Sequence, residues 1–575
     1  FSGCTGLTRV VLPAGLTAIP DWCFNNCEKL PGIAIPETVT SIGSCAFRYC
    51  SALTAITLPQ GLQTLGANAF LYCENLPYVD VPDTLESAGS YIASDTTQLR
   101  CSIGSSAAYT LSKNGTSFYD DGYKLRYTYA DRDGSVNGLV LNKYVGTEVK
   151  VRVPDGVTEL IGWCCVGNNK VTSVVLPESV VKIGEIAFYK CKILSSVTLP
   201  QGIVEIGDSA FAECPKLTVI DIPDGLQKAA WLAEDDVRLR CSFGSSAAFA
   251  LSKGGNNFCA GDFQMRYLFD DEGNRNGLRL NKYLGTDAEV TVPEEVTETG
   301  SAFKDCKTVT KVVLPAGLTK LESDILSGCT ALKEIAIPEG VTLIGNGAFR
   351  DCEALTELAL PQGLKKIGSN AFIGCKSLTY IEIPDGVETV EYFIAESTIQ
   401  LRCAIGSSAA VAVSRSNDGF YSDDLYLRYT FDGDGVQNGL TLMKYVGASS
   451  EVIVPDGVTK LQSNAFSDCK TLTKVTLPAG VTELPNSLFS DCAALSEIVI
   501  PDGVTAIGDS AFKSCASLTE IVLPQGLKRI DGYVFLGCTG LSYIDIPDGL
   551  ETAGNWIADD SVQLRCSIGS SAAIA

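Results

Sequence analysis

The stretch SDCKTLTKVTLPAGVTELPNSLFSDC, residues 467–492, carries two cysteines 23 residues apart and one complete repeat between them. The same interval separates Cys4, Cys27, Cys50 and Cys73, then Cys191 and Cys214. It returns at Cys306, Cys329, Cys352 and Cys375, and at Cys469, Cys492, Cys515 and Cys538. A sequence period of about 20 to 50 residues marks a stacked-repeat architecture. The unit reads L-x-x-V-x-L-P-x-G-V-x-x-L, then A-F-x-x-C, with close copies at Leu355–Cys375 and Leu495–Cys515. Alternation in L-x-x-V-x-L predicts a short strand that turns Val475 and Leu477 inward and Lys474 and Thr476 outward. Proline ends the strand, because it cannot donate to a ladder. The following glycine is expected to supply a positive φ at the corner. The Ala-Phe pair, Ala511 and Phe512 for example, plugs the opposite side. One unit cannot bury such a face alone, so the fold class is a repeat solenoid with a parallel β ladder and an irregular or short-helical convex side.

The cysteine sits three residues before the strand leucine, one copy above another. In the second module the position 23 residues before Cys191 is Asn168, in GNNKVTSVVLP. Both residue types suit a small niche where backbone groups need partners, which points to a structural thiol ladder. Rungs lie about 4.8 Å apart, within reach of a bridge, so disulfides between rungs stay open as the alternative, with thiol reactivity as a further one.

A longer period overlies the short one. RCSIGSSAA at Arg100 returns as RCSFGSSAA at Arg240, RCAIGSSAA at Arg402 and RCSIGSSAA at Arg565. The intervals are 140, 162 and 163 residues, so the second module lacks one rung. After each GSSAA comes a polar, helix-like segment, then a hairpin such as YKLRYTYADRDGSVNGLVLNKY, whose Asp-Gly and Asn-Gly pairs suit a tight turn. Helix and hairpin read as the caps that solenoid ends require. The expected modules are 1–118 (opening cap missing), 119–258, 259–420 and 421–575 (closing cap incomplete), a slice of a longer repetitive protein. Sealed ladder ends leave contacts between modules to cap surfaces and to the aromatic segments Phe118–Tyr127, Phe258–Tyr267 and Phe420–Tyr429, which carry Tyr119, Tyr123, Phe263, Tyr421 and Tyr426. Packed joints of this kind predict an elongated particle with nearly fixed angles between modules.

Composition narrows function. The 575 residues are 46% hydrophobic and 19% charged, with a formal charge of −23. That charge disfavours nucleic acid and anionic lipid, which need basic patches. No apolar run reaches the roughly 20 residues of a membrane span. There is no histidine, which removes Ser-His-Asp and Cys-His nucleophile pairs and histidine-ligated metals together. C-x-x-C pairs are absent, so the cysteines do not read as zinc sites. The chain is expected to be no enzyme, with no cofactor, no metal and no catalytic residues. Acid pairs at the hairpin tips, Asp131 with Asp133, Asp270 with Glu272 and Asp432 with Asp434, match only the start of a calcium loop and are read as turns.

The outward strand positions form the expected docking face. Its last rung presents an aromatic–acid pair in three modules: Tyr78 with Asp80, Tyr380 with Glu382, and Tyr543 with Asp545; Val219 with Asp221 departs from this. Tyrosine is enriched in binding hot spots, and these six residues are the candidate partner-binding site. Tyrosine covering the seam to the closing cap is the competing role.

The rungs IPEGVTLIGNGAFRDCEAL (337–355) and IPDGVTAIGDSAFKSCASL (500–518) resemble those of the BspA-like, Treponema pallidum-type leucine-rich repeat surface proteins. GSSAAYTLSKNGTSF is similar to the G-S-x-A-x-x-Y-A-x-x-N-G-x-x-F cap of that family. The resemblance implies a secreted or cell-surface protein, mostly of anaerobic bacteria, whose relatives are associated with binding host matrix proteins and other cells. An anaerobic setting lets half-exposed thiols persist. The departure is the number of caps in a row. The function expected is a non-enzymatic adhesin or protein-interaction arm, outside the cell or on its surface, with protein or cell-surface partners. A structural stalk or fibre protomer that self-associates is the alternative.

Overall fold

A computed structural model describes residues 1–130 and 133–574, and the chain divides into two compact units, 1–276 and 277–575. Each rung has three sides. The first is the L-x-x-V-x-L strand, three residues long, as at Lys474–Thr476, which pairs in parallel with Glu497–Val499 exactly one 23-residue period on. The second is a two-residue strand after P-x-G, as at Thr64–Leu65, parallel to Ser41–Ile42 before it and Ser87–Ala88 after it. The third is a run of turns around Ala-Phe, whose N–H groups point the other way along the stack. Phe47 N donates to Ala69 O at 2.8 Å, whereas Thr40 N on the second side donates back to Thr17 O at 2.9 Å.

The core follows from this triangle. Val475, Leu477, Leu484, Phe489 and Cys492 of one rung are all buried. The phenylalanines stack from rung to rung: Phe466, Phe489, Phe512 and Phe535 have successive ring centroids 5.1, 5.3 and 5.5 Å apart. Truncating one such buried ring costs about 3–5 kcal/mol, so this column is a principal source of cohesion.

The corner glycines depart from expectation. Positive φ occurs in P-x-G only at Gly156 and Gly457. Elsewhere a simple turn suffices, as where Leu62 N donates to Pro59 O at 3.1 Å. The left-handed positions fall instead on the third side, before Ala-Phe and before Cys, at residues such as Trp22, Asn26, Tyr49 and Tyr72. A different glycine is sterically required: a Cβ on Gly66 would lie 2.3 Å from Ser44 N in the neighbouring rung.

The closing segment forms helices α1 (Ser106–Lys113), α2 (Ser246–Lys253), α3 (Ser408–Arg415) and α4 (Ser571–Ile574). In the first three, the serine of G-S-S-A-A is the N-cap; Ser105, Ser245 and Ser407 accept from Ala108, Ala248 and Ala410 N. Helix α1 covers the open end of the second-side ladder, and Asn114 Nδ2 donates to Ala88 O at 2.8 Å.

The first-side ladder is not sealed, which corrects the expectation of closed ends. In the second unit Tyr380–Glu382 pairs with Gln400–Arg402, then Phe420–Ser422, then the hairpin Leu425–Phe431 and Gln437–Tyr445, and finally Val458–Leu461. In the first unit one nine-stranded sheet runs the same way from Tyr78–Asp80 through the hairpin Tyr123–Tyr129 and Val136–Tyr144 to Lys228–Ala229. Val157–Leu160 and Val458–Leu461 are second-side strands. The hairpin therefore hands the first-side ladder of one module to the second-side ladder of the next. Its unpaired strand edge attracts a continuation because edge N–H and C=O groups need partners.

Candidate functional site

The first-side strands bring Tyr78 and Asp80 onto one exposed edge, two residues apart on the same face of the pleat. Tyr380 with Glu382, and Tyr543 with Asp545, repeat the arrangement, and the three rings are 42%, 41% and 43% exposed. The first pair belongs to the first unit and the other two to the second.

Each pair has a third member that the sequence reading passed over. Asp80 is in register with Arg100 on the closing strand Gln98–Arg100. The Arg100 guanidinium lies 3.4 Å from the Tyr78 ring centroid and donates to both Asp80 oxygens at 2.7 and 2.8 Å. Arg402 lies 4.0 Å over Tyr380 and donates to Glu382 at 3.2 Å, while Gln400 Oε1 also accepts from it. Arg565 lies 3.3 Å over Tyr543 and pairs with Asp545 at 3.0 Å. In the second module Arg240 grips Asp221 in the same bidentate way, at 2.6 and 2.8 Å, with Val219 in place of the ring. The signal was present: every closing motif opens with Arg. Its reach across one strand spacing to the acid was visible only once the register was known.

The tyrosine thus takes part in the seam to the closing strand and still presents an open face. Ion pairs this exposed contribute about 0–1 kcal/mol, and the cation–π contact about 0.5–1 kcal/mol. What the cluster provides is a tyrosine and an arginine held in one geometry beside an acid, both residue types favoured at binding hot spots. Next to it in the third module a groove of about 670 Å³ is lined by Glu334, Glu357, Leu358, Tyr380 and Glu382. In the second module one of about 970 Å³ is lined by Asp221, Arg240 and Phe243.

The thiols sit elsewhere, at the inner corners. Of the 14 ladder cysteines, 11 are buried; Cys4 is exposed, and Cys306 and Cys469, which begin their columns, are half-buried. All 23 cysteines are free thiols. Cys492 Sγ donates to Phe466 O at 2.9 Å, and Cys50, Cys329 and Cys375 donate likewise to Phe24, Phe303 and Phe349 O. Burial pushes Cys27 and Cys191 up to about 11, and Cys214, Cys329 and Cys375 up to about 12. A protonated thiol is a poor nucleophile and metal ligand. Asn168 plays a related part: its Oδ1 accepts from the N–H groups of Lys170 and Val171.

The hairpin-tip acids are occupied by their own turns. Asp270 Oδ1 accepts from Glu272 and Asn274 N, Asp432 Oδ1 from Asp434 and Val436 N, and Asp133 from Ser135. Asp131 lies outside the described residues. Among the described residues no three Cys, Asp or Glu side chains gather where they could hold a metal ion.

The profile of the BspA type leucine-rich repeat region (6 copies) matches residues 1–114, 150–230, 288–406 and 444–565, well over half of the chain. The chain belongs to the BspA-type leucine-rich repeat family. The hairpins fall largely in the stretches between these matches. Among solved structures, a leucine-rich cell surface protein from Faecalibacterium prausnitzii A2-165 is 23% identical, with 79% of this chain and 96% of that one covered and a TM-score of 0.24. A leucine-rich repeat protein from Bacteroides ovatus ATCC 8483 is 22% identical over 78% and 99%, with a TM-score of 0.22. The T. pallidum leucine-rich repeat protein is 21% identical over 50% and 91%, with a TM-score of 0.20. No curated protein matches the chain.

Proposed function

We propose that this BspA-type repeat protein is a non-enzymatic protein-interaction arm displayed at the cell surface or outside the cell, where it acts as an adhesin. The observation that carries this reading is the Tyr–Arg–acid cluster at the end of the first-side face, repeated in three modules. Repetition suits attachment in which several weak contacts combine. Family membership supports a protein-interaction role, and among the described residues no helix is long and apolar enough to cross a membrane. The four modules 1–118, 119–258, 259–420 and 421–575 are the units of display on this proposal, with Tyr78, Asp80, Tyr380, Glu382, Tyr543 and Asp545 as contact residues.

The test is binding of the full chain to immobilised extracellular-matrix proteins and to whole cells. Replacing Tyr78, Tyr380 and Tyr543 together by Ser should lower binding by about tenfold or more, the scale of a few hot-spot contacts, with the thermal midpoint little changed. Unchanged binding would remove these residues from the interface. The sheet passing through the hairpins at 123–144 and 425–445 also favours a second reading, a stalk or fibre protomer. On that reading the same substitutions leave binding intact, and the chain self-associates as its concentration rises.

A further inference from the structure

Beside the last-rung turn and the segment that follows the closing helix lies a groove, found once in the first unit and again in the second. In the first module it has a volume of about 350 Å³ and is lined by Tyr91, Asp95, Tyr119 and Lys124. The equivalent residues 302 positions on in the third module are Phe393, Ser397, Tyr421 and Tyr426, and the groove there has a volume of about 650 Å³.

The first module shows what the groove accommodates. Lys124 Nζ lies 5.8 Å from the Tyr119 ring centroid, and Tyr119 is only 8% exposed. The chain's own ammonium group occupies the aromatic floor. In the third module that lysine is replaced by Tyr426, whose ring centroid lies 4.8 Å from that of Tyr421, and both rings are half-buried. Two carboxylates appear where the first module has Ser94 and Thr116: Glu396, which is exposed, and Asp418, which is half-buried. Formal lining charge therefore changes from zero, with Asp95 and Lys124, to two negative, with Glu396 and Asp418. Arg428 lies close enough to Asp418 to oppose the rise that burial imposes on its carboxyl. Phe393, 72% exposed and in the left-handed backbone region, forms part of the rim. A bulky aromatic side chain is unfavourable there on both counts.

We infer that the third-module groove is a binding site for a lysine side chain presented by a partner protein, the Tyr421–Tyr426 pair and Phe393 receiving the stem and ammonium and Glu396 and Asp418 matching its charge. Aromatic rings beside carboxylates attract ammonium groups by the ring quadrupole and by simple charge. Its lining does not include Tyr380, Glu382 or Arg402, so its test is separate from that of the contact residues proposed above. The second module supplies a built-in contrast, because there Asn256 bonds to Leu232 N and Ala230 O and fills the equivalent place.

The experiment uses the full chain and saturation-transfer NMR with N-α-acetyl-lysine methylamide as probe, against its uncharged norleucine analogue. The lysine probe should give signal at its ε-methylene, and the norleucine probe little. Tyr426→Lys, which installs the resident cation of the first module, should reduce the signal by about fivefold or more. Glu396→Gln, on an exposed side chain that folding does not need, should reduce it with the thermal midpoint unchanged. Equal signal from both probes, no lysine signal, or signal indifferent to both substitutions overturns the proposal.

Discussion

Each buried ladder thiol donates to a carbonyl of the preceding rung, and for Cys329 and Cys375 burial in an apolar corner is what makes ionisation costly. Cys329 and Cys375 are shifted from the ordinary 9.0 up to about 12. The folded chain holds these protons between pH 9 and 12 while the unfolded chain releases them. The stability they confer is therefore complete below pH 9 and is lost as pH rises through that window. The urea midpoint should fall between about pH 8 and about pH 10.5. At the lower pH, alkylation followed by peptide mapping should find Cys4 and Cys566 modified and Cys329, Cys352, Cys492 and Cys515 protected until denaturation. Ladder cysteines that label as fast as Cys4 would contradict a buried thiol column. Their period was the most legible feature of the sequence, because a rung repeats its chemistry at every corner. Arg100, Arg402 and Arg565 were illegible as partners of Tyr78, Tyr380 and Tyr543, since sequence separation says nothing about which strand lies alongside.

Among elements, the three-residue strands could be read because Val475 and Leu477 alternate with polar neighbours. The second-side strands could not. Two residues such as Thr64–Leu65 are too short to show a period of two, and only their neighbours in the stack make them strands. The helix and hairpin were legible as separate pieces, but not the bonds that join them. Ser112, Ser252 and Ser414 sit inside helices and accept from Tyr127, Tyr267 and Tyr429 N at 2.9, 3.0 and 3.0 Å. Gly104 and Gly406 N donate to the Tyr127 and Tyr429 hydroxyls. A serine inside each of these helices thus ties the helix to a hairpin N–H. Ser414→Ala strands that buried donor and should cost about 1–3 kcal/mol, read as a lower urea midpoint. A change within a few tenths of a kcal/mol would show that the bond adds nothing.

For the molecule as a whole, within each unit, the decisive feature is that one ladder ends under a helix while the other continues through a hairpin. Expecting both ladders to be sealed treated the caps as stoppers. Backbone groups at a sheet edge make a hairpin strand there a continuation instead. Within each unit the strand face before the hairpin consequently lies on a different sheet from the strand face after it, and the sheet through the hairpin joins the first of them by hydrogen bonds to the second-side ladder that follows. Repeat arrays propagate stability through nearest-neighbour interfaces, so a hydrogen-bonded hairpin should be as protected as the rungs it connects. Hydrogen–deuterium exchange on the full chain tests this most directly. The account predicts that residues 425–431 and 437–445 exchange as slowly as 458–461 and 474–476; hairpin amides exchanging far faster than the rungs on either side would contradict it.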